Sequence, residues 1–348
     1  MKIAITGEKG FLGYHLTQYY KWIKEYEVIE LGRDYLNNIK LLKDCDLLIH
    51  CAGVNRGENI YSENVKLAID LVDFLQNNNI KIDIKYTSST QVDNNTPYGK
   101  AKQYSSNILE KYCSQSSTKF ESYKIPNIFG PFGKPNYNSF INTFCYNLVN
   151  NIDITHNNNL VTLCYIYDVI KSMDSNVDFN TITISVSDIY YKLKDFHNDY
   201  SQGIIPNLIN KFDKDLFNTY RSFVSSLFEF EKHSDDRGHL VELVKGKGSE
   251  TQVFYSTTKP GITRGDHFHF GKVERFCVLT GKAKISIRKI GSTKKVDYII
   301  DGEDNKVIDI PIMHTHNITN ISNNNLVCVF WVNEIFNPKD MDTYFEKV

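Results

Sequence analysis

The strongest constraint on the fold is a glycine-rich turn at the start of the chain. Residues 2–6 form a short apolar strand, three glycines follow, and a helix is predicted over residues 11–26. Glycines here permit a tight turn and let a pyrophosphate approach backbone N–H groups at the positive end of a helix. We therefore predict a dinucleotide site in this loop, formed by Gly7, Lys9, Gly10, Phe11, Leu12 and Gly13.

The sequence follows two different patterns along its length. Short apolar strands first alternate with helices, which indicates a doubly wound parallel sheet of the Rossmann type. From about residue 238 to 336, short strands separated by turn residues predict an all-β sandwich or barrel. We therefore predict a nucleotide-binding domain over residues 1–225 and an all-β domain over residues 235–348.

The end of the second predicted strand bears on the choice of nicotinamide cofactor. NAD sites usually place an acidic residue there to bind the ribose hydroxyls, but this strand ends in Gly32 and Arg33. Arg33 can meet a 2′-phosphate, and Lys9 is a second candidate, so NADPH is favoured. The alternative is that Arg33 is an ordinary solvated turn residue and that Asp34 binds the ribose.

A tyrosine and a lysine four residues apart provide a catalytic pattern. Tyr98 and Lys102 share one face of a predicted helix. A nearby ammonium stabilises a phenolate and should lower the pKa of the tyrosine. Such a tyrosine can protonate a carbonyl oxygen while hydride reaches its carbon. The upstream strand ends in Ser88, Ser89 and Thr90, and a hydroxyl there can hold the same oxygen.

Histidines and a carboxylate cluster in the second half. His267 and His269 are two residues apart and face the same side of a strand, Glu274 follows, and His314 and His316 come about 40 residues later. Nitrogen and oxygen donors of this kind suit zinc, manganese, iron or nickel.

Composition restricts the cellular location and the classes of partner that we expect for the protein. The chain has 348 residues with 40 Lys+Arg and 41 Asp+Glu, a net charge of −1, which gives no general attraction for nucleic acid or anionic membrane. No apolar run approaches the roughly 20 residues of a transmembrane helix. The seven cysteines are scattered and form no CxxC motif. We therefore expect a cytoplasmic protein with neither nucleic acid nor membrane as a partner.

The first half resembles the extended short-chain dehydrogenases/reductases that modify nucleotide sugars. The matching segments are the glycine loop, residues 46–53, the Ser-Ser-Thr strand end, the YxxxK motif, residues 126–131 and residues 165–169. The resemblance implies Ser89 as the catalytic hydroxyl, with Ser88 and Thr90 as rivals. It also implies that cofactor contacts come from Ala52, Gly53, Tyr98, Lys102 and Asn127.

The histidine cluster resembles the paired motifs of the cupins, a family of jelly-roll domains. The resemblance implies four ligands for a divalent metal, with zinc favoured: His267, His269, Glu274 and His316. Met313 stands where the cupin motif usually has glycine, and His314 is expected to face outward. The alternative is a cupin without metal, in which the histidines are core or pocket groups.

The segments around Arg237 and Arg264 resemble deoxysugar 3,5-epimerases of the rhamnose type. In those enzymes a histidine removes a proton next to a ketone, and basic side chains hold diphosphate. Arg237 and Arg264 are therefore candidates for diphosphate binding, and the alternative is that each forms a surface ion pair.

A reductase followed by a cupin resembles the CapF (WbjC-type) enzymes of capsule and O-antigen sugar synthesis. The resemblance implies two steps on a UDP-2-acetamido-2,6-dideoxy-L-hexos-4-ulose. The cupin would epimerise carbon 3 with His267 or His269 as the base, and the reductase would reduce carbon 4 with NADPH. Residues 136–150 would form the sugar-nucleotide pocket, with Asn136 and Asn138 among its contacts.

Several outcomes stay open within this resemblance. The product is of the L-rhamnosamine or the L-talosamine type, because no motif records the face of hydride attack. The cupin is alternatively structural, leaving a 4-reductase alone, or the substrate lacks the acetamido group and yields UDP-L-rhamnose. The least favoured alternative is an NADP-binding sensor without activity. A homodimer is expected by family analogy.

Overall fold

The computed structural model describes residues 1–37, 40–229, 233–235, 238–240, 245–246, 251–334, 337 and 339–348. Eight α-helices lie within these residues: α1 (Phe11–Trp22), α2 (Lys40–Lys43), α3 (Ile60–Asn77), α4 (Pro97–Ser116), α5 (Phe140–Val149), α6 (Ile166–Ser175), α7 (Val186–Ser201) and α8 (Lys211–Arg221).

The strands of the first half are β1 (Lys2–Thr6), β2 (Glu27–Leu31), β3 (Leu47–His50), β4 (Asp83–Ser89), β5 (Phe120–Ile125), β6 (Asn127–Phe129), β7 (Leu160–Tyr165), β8 (Thr181–Ser185) and β9 (Ile204–Ile205). Those that follow are β10 (Leu227–Glu229), β11 (His233–Asp235), β12 (Gly238–Leu240), β13 (Lys245–Gly246), β14 (Gln252–Thr258), β15 (Thr263–Phe268), β16 (Glu274–Thr280), β17 (Lys282–Lys289), β18 (Lys295–Asp301), β19 (Lys306–Ile310), β20 (His314–Asn320), β21 (Leu326–Val332) and β22 (Tyr344–Phe345).

The first compact unit contains residues Met1–Phe129, Gly133–Phe140 and Asn159–Ser185. Its main sheet has the order β2-β1-β3-β4-β5 with all neighbours parallel. Apolar residues of its strands pack against α3 and α4 in a buried core that includes Leu48, Leu71 and Leu109. Since parallel strands end at one edge of a sheet, the residues after β1, β3 and β4 are brought together there.

The second compact unit contains residues Gly130–Phe132, Ile141–Asn158 and Val186–Val348. Two five-stranded sheets dominate it, with the orders β10-β19-β16-β21-β14 and β18-β17-β20-β15-β22. Every pairing in both is antiparallel. Side chains of both sheets share one apolar core, among them Phe276, Ile285 and Phe330. Helices α7 and α8 belong to the same unit.

A buried charged group joins those helices to the β-strands of the second unit. The carboxylate of Asp309 in β19 accepts hydrogen bonds from Arg275 Nε at 2.7 Å and from the Tyr200 hydroxyl of α7. Arg221 of α8 lies 3.3 Å from the same carboxylate and donates to Tyr200 at 2.9 Å. All four side chains are at most 1% exposed, so charge pairing and not solvent balances them.

The predicted fold class is confirmed: a parallel Rossmann-type sheet is followed by an antiparallel all-β region. The first helix ends at Trp22, four residues before its predicted end, because Glu25 adopts a φ of +54° and lets Tyr26 turn back onto the ring of Tyr20. All seven cysteines are free. Within the described ranges, no helix has the length and apolar character needed to span a membrane. The predicted division at residues 225 and 235 stays a prediction.

Candidate functional site

The glycine loop has the geometry that a phosphate-binding turn requires. Gly7 has a φ of +68°, and a Cβ there would lie 2.8 Å from the backbone nitrogen of Ala52. A Cβ on Gly13 would lie 2.0 Å from the carbonyl oxygen of Gly7. Side chains are therefore excluded at both positions, and α1 begins directly behind the loop with Gly10 as its N-cap. Lys9 is exposed, whereas Phe11 and Leu12 are half-buried.

The two candidates for ribose recognition both follow β2. Arg33 and Asp34 are adjacent and exposed, and only Gly32 separates them from the end of β2 at Leu31. Each is therefore accessible to a ligand at the carboxyl edge of the sheet.

The structure brings the Tyr98 ring and the Lys102 amine to one side of α4. Lys102 Nζ lies 5.9 Å from the ring centroid of Tyr98 and donates a 2.8 Å hydrogen bond to the carbonyl oxygen of Thr87 in β4. Ser89 ends the same strand, is buried, and accepts a hydrogen bond from the Gln91 backbone. A Cβ on Gly99 would lie 2.1 Å from the Gln91 carbonyl, so glycine lets α4 pack against this turn.

The pKa of Tyr98 differs from the predicted direction. Burial raises it to about 12, whereas we expected Lys102 to lower it. Burial also lowers the pKa of Lys102 to about 8. Both effects have one cause, since a low-dielectric environment disfavours the phenolate and the ammonium alike.

The predicted cofactor contacts after β3 lie close to Lys102. A Cβ on Gly53 would lie 3.3 Å from Lys102 Nζ, so Gly53 leaves room for the lysine. Asn64, which sequence reasoning missed, is buried and holds Val54 through hydrogen bonds of 3.0 and 2.6 Å. Asn127 is exposed at the start of β6, and its amide donates to the Thr162 carbonyl at 3.3 Å.

A second missed residue, Arg56, connects the predicted substrate segment to the loop after β3. Its guanidinium donates to the Asn138 side chain at 3.2 Å and to the Asn136 carbonyl at 3.0 Å, and lies 5.3 Å from the Tyr137 ring. Its partners lie 80 and more positions away, so no local pattern reveals this role. Arg237, the other candidate for diphosphate binding with Arg264, lies outside the described residues.

The four predicted metal ligands converge in the second unit. One ligand atom from each of His267, His269, Glu274 and His316 lies within 4.8 Å of the others. Glu274 Oε2 is 3.2 Å from His269 Nε2 and 2.9 Å from His316 Nε2. His316 Nε2 is buried and, despite its closeness to Glu274, forms no well-aligned hydrogen bond among the described residues, as expected of a nitrogen placed to bind a metal.

Charge and hydrogen bonding prepare this cluster for a cation. Burial alone would raise the pKa of Glu274, but His269 and His316 hold it well below its ordinary value. Burial and the neighbouring histidines lower the pKa of His267 to about 4, which keeps this ring neutral. Burial alone would lower the pKa of His269, but the hydrogen bond to Glu274 and the charge of that carboxylate raise it. Three imidazoles and one carboxylate are a donor set that fits a divalent ion.

A β-bulge places His267 in the cluster. Gly265 pairs with Asn317 of β20, yet His267 pairs with His316, so Asp266 is the extra residue. Asp266 has a φ of +57°, and its carboxylate accepts a 2.7 Å hydrogen bond from Asn317. The register also puts Arg264, opposite Ile318, on the same face of the sheet as His267 and His316.

The turn before β20 keeps its conformation without the expected glycine. Met313 is buried and adopts a φ of +57°; its backbone N–H donates to the His269 carbonyl, and its carbonyl accepts from the Ile290 N–H. His314 is not among the four clustered residues and is half-buried. Its ring contacts Phe132 with centroids 5.8 Å apart.

A cavity of about 360 Å³ opens beside the cluster. The metal-ligand candidates His267, His269 and Glu274 form one part of its wall. The remaining lining residues are Gln252, Phe254, Lys272, Val332, Glu334 and Thr343. The site therefore combines candidate metal ligands, apolar walls and additional charged groups.

The structure thus places a glycine loop and a Tyr-Lys pair in one unit and a cluster of candidate metal ligands in the other. Residues 3–178 match the NAD dependent epimerase/dehydratase family, and residues 233–344 match the polysaccharide biosynthesis C-terminal domain. The chain belongs to the NAD dependent epimerase/dehydratase family, whose members use a nicotinamide cofactor.

Individual relatives extend over the whole chain. The UDP-2-acetamido-2,6-beta-L-arabino-hexul-4-ose reductase of Pseudomonas aeruginosa is 31% identical, covering 99% of this chain and 98% of that one. The crystal structure of the capsular polysaccharide assembling protein CapF from Staphylococcus aureus is 32% identical with a TM-score of 0.61 and covers 100% of both chains. The resemblance to CapF-type enzymes is thereby confirmed.

A more distant structure shares the fold alone. UDP-glucose 4-epimerase from Thermotoga maritima is 16% identical with a TM-score of 0.52, covering 64% of this chain and 98% of that one. The family and the full-length relatives therefore define an enzyme of nucleotide-sugar metabolism for polysaccharide biosynthesis.

Proposed function

We propose that the chain is a bifunctional UDP-sugar 3-epimerase and 4-reductase that acts on UDP-2-acetamido-2,6-dideoxy-L-hexos-4-ulose. Its product is a UDP-N-acetyl-6-deoxy-L-hexosamine of the L-rhamnosamine or L-talosamine type, used for surface glycans. The observation that carries the proposal is the presence in one chain of two sites suited to the same ketone. A 4-ketone acidifies the proton on carbon 3 and is itself a hydride acceptor.

In the reduction, bound NADPH supplies the hydride, and residues of the chain position the ketone and its proton. Tyr98 donates its hydroxyl proton to the ketone oxygen. The side chain carries this proton at neutral pH, because burial keeps it in the phenol form. Ser89 holds the same oxygen, and Lys102 binds the nicotinamide ribose. Arg33 and Lys9 select the 2′-phosphate of NADPH.

In the epimerisation, His267, His269, Glu274 and His316 hold a divalent ion, with zinc favoured. When bound, the ion supplies positive charge that stabilises the enolate formed on loss of the carbon-3 proton. Phe254 and Val332 form apolar walls that lower the local dielectric and strengthen this stabilisation. Arg264 holds the diphosphate from the same face of the sheet.

Proton NMR in D₂O with the UDP-4-keto-6-deoxy-L-HexNAc sugar tests both activities. Loss of the carbon-3 proton signal without NADPH supports the epimerase activity. If the signal persists in His267→Ala, the cluster is supported as the site of that activity. Tyr98→Phe should retain this exchange and lose about 10²–10⁴-fold in reduction once NADPH is added. Because the two variants affect different steps, each is the control for the other.

The same experiment separates the alternatives. If the carbon-3 proton is retained while NADPH is oxidised, the protein is a 4-reductase with a structural cupin domain. If only the sugar without the acetamido group reacts, the product is UDP-L-rhamnose. Ring couplings of the reduced sugar distinguish the two configurations at carbon 4. A homodimer stays a prediction that sedimentation of the purified protein tests.

A further inference from the structure

The cavity beside the metal cluster contains a second carboxylate that is not among the four predicted ligands. Glu334 lines the cavity and is half-buried. It lies two residues after Val332, which is the cross-strand partner of Glu274 in β16. Glu334 therefore lies at the end of the strand next to that of Glu274.

A neighbouring side chain fixes the backbone that carries Glu334. Asn333 is buried, accepts a hydrogen bond from the Val273 backbone at 2.8 Å and donates to the Gly271 carbonyl at 3.3 Å. A Cβ on Gly271 would lie 3.7 Å from Glu334 Oε1. The Asn333 bonds fix the backbone beside Glu334, whose carboxylate lies near Gly271 in the segment that connects His269 with Glu274.

The ligand histidines are not available as bases while they bind a metal. His269 Nδ1 lies 2.5 Å from the carbonyl of Asp342, and His316 Nδ1 lies 3.1 Å from the carbonyl of His314. Because a carbonyl only accepts, both Nδ1 atoms carry a proton, and Nε2 of each ring is the nitrogen that faces Glu274. A bound ion uses the lone pair of each Nε2 atom.

We infer that Glu334 is the base that removes the carbon-3 proton of the sugar, an inference that rests on the proposed epimerase function. The carbon–hydrogen bond breaks, its electron pair forms the enolate with the 4-ketone, and the proton moves to the Glu334 carboxylate. A proton from water then adds to the opposite face of carbon 3 and restores the ketone. Glu334 returns its proton to water, so no oxidant or reductant is consumed.

The surroundings of Glu334 suit this role. Burial, followed by the nearby carboxylate of Asp342, raises the pKa of Glu334 and so increases its affinity for a proton. Asp342 itself accepts hydrogen bonds from the backbone of Phe270 at 2.9 Å and Gly271 at 2.8 Å. Asp342 is thus occupied structurally, whereas Glu334 lines the cavity.

Glu334→Gln tests the inference in the full-length zinc-loaded protein. We expect deuterium exchange at carbon 3, followed by proton NMR without NADPH, to fall by about 10²–10⁴-fold. Zinc content per chain, measured by atomic emission, should equal that of the wild type. Asp340→Asn removes an exposed carboxylate six positions away and serves as the matched control, with exchange unchanged.

Rescue with a small carboxylate provides a second readout. In Glu334→Ala, added formate should restore part of the exchange, and reduction of the epimerised sugar by NADPH should persist because it uses the other unit. Exchange in Glu334→Gln at the wild-type rate, or loss of its zinc, would overturn the assignment. If the wild type itself shows no exchange, the epimerase proposal fails as well, which separates the two failures.

Discussion

His267 of β15 lies directly opposite His316 of β20, although the residues before the bulge would pair His267 with Thr315 if their register continued. The extra residue Asp266 makes the difference. The cluster of candidate metal ligands thus depends on a local backbone irregularity as much as on its side chains, because a one-residue shift moves a strand residue to the other face of the sheet.

The bulge can be tested at the glycine that precedes it. In Gly265→Ala the new Cβ would lie 2.7 Å from the His316 carbonyl, at a φ of +105°. We expect the affinity for zinc, measured by competition with a chelator, to fall by about 10–100-fold. Gly261→Ala is the matched control, since its φ is +74° but no atom lies within 4 Å of the new Cβ. Equal affinities in both variants would contradict a role for the bulge.

The cofactor preference can be assigned to one of two adjacent residues. If Arg33 binds the 2′-phosphate as proposed, Arg33→Ala should weaken NADPH binding by about 10–100-fold, since it removes a charged hydrogen bond. Binding of NADH, which lacks that phosphate, is the internal control and should not change. Fluorescence titration of both cofactors measures the dissociation constants. If Asp34→Ala weakens both cofactors while Arg33→Ala affects neither, Asp34 is the ribose-binding residue.

The buried group around Asp309 is expected to be a major stabilising element of the second unit. Asp309→Asn leaves Arg221 and Arg275 without a carboxylate in a site that excludes water, and should lower the free energy of unfolding by about 3–5 kcal/mol. Urea unfolding followed by circular dichroism measures the change. Asp301→Asn removes an exposed carboxylate 3.9 Å from Lys282 and should cost less than about 1 kcal/mol. Similar losses in both variants would rule out a special role for Asp309.

Lys102 makes the stability of the cofactor-free protein depend on alkaline pH. The unfolded chain keeps the Lys102 proton up to its ordinary pKa of 10.5, whereas the folded protein releases it near pH 8. The unfolded state binds more protons between these values, so stability rises with pH by up to about 3 kcal/mol from this group.

Comparison with Lys102→Met isolates that contribution. The unfolding free energy of the wild type should increase relative to that of Lys102→Met as the pH rises from 8 to 10. Lys100→Met, which alters an exposed lysine of the same helix, should show no such shift. A constant difference across this pH range would mean that Lys102 is not titrating.

The elements that sequence reasoning located are those whose signals are local. Glycines spaced for a phosphate loop, the Tyr98–Lys102 interval and the His267–His269 pair each depend on a few adjacent positions. Arg56 was missed as a site residue because Asn136 and Asn138 lie far away in sequence. The pKa of Tyr98 was misjudged because burial is a property of the folded chain and not of a motif.

The bulge shows a different limit of prediction from the sequence. Gly265 and Asp266 carry the composition of a turn, but only pairing with β20 reveals which residue is extra. Met313 likewise holds a glycine-type conformation that its side chain gives no reason to expect, since backbone hydrogen bonds to His269 and Ile290 fix it.

The chain passes from one compact unit to the other five times, at residues 129/130, 132/133, 140/141, 158/159 and 185/186. A simple fusion of two finished proteins would cross once. One proteolytic cut therefore cannot release either unit intact, and neither can a single stop codon. Both units are parts of one polypeptide, so every molecule carries one copy of each.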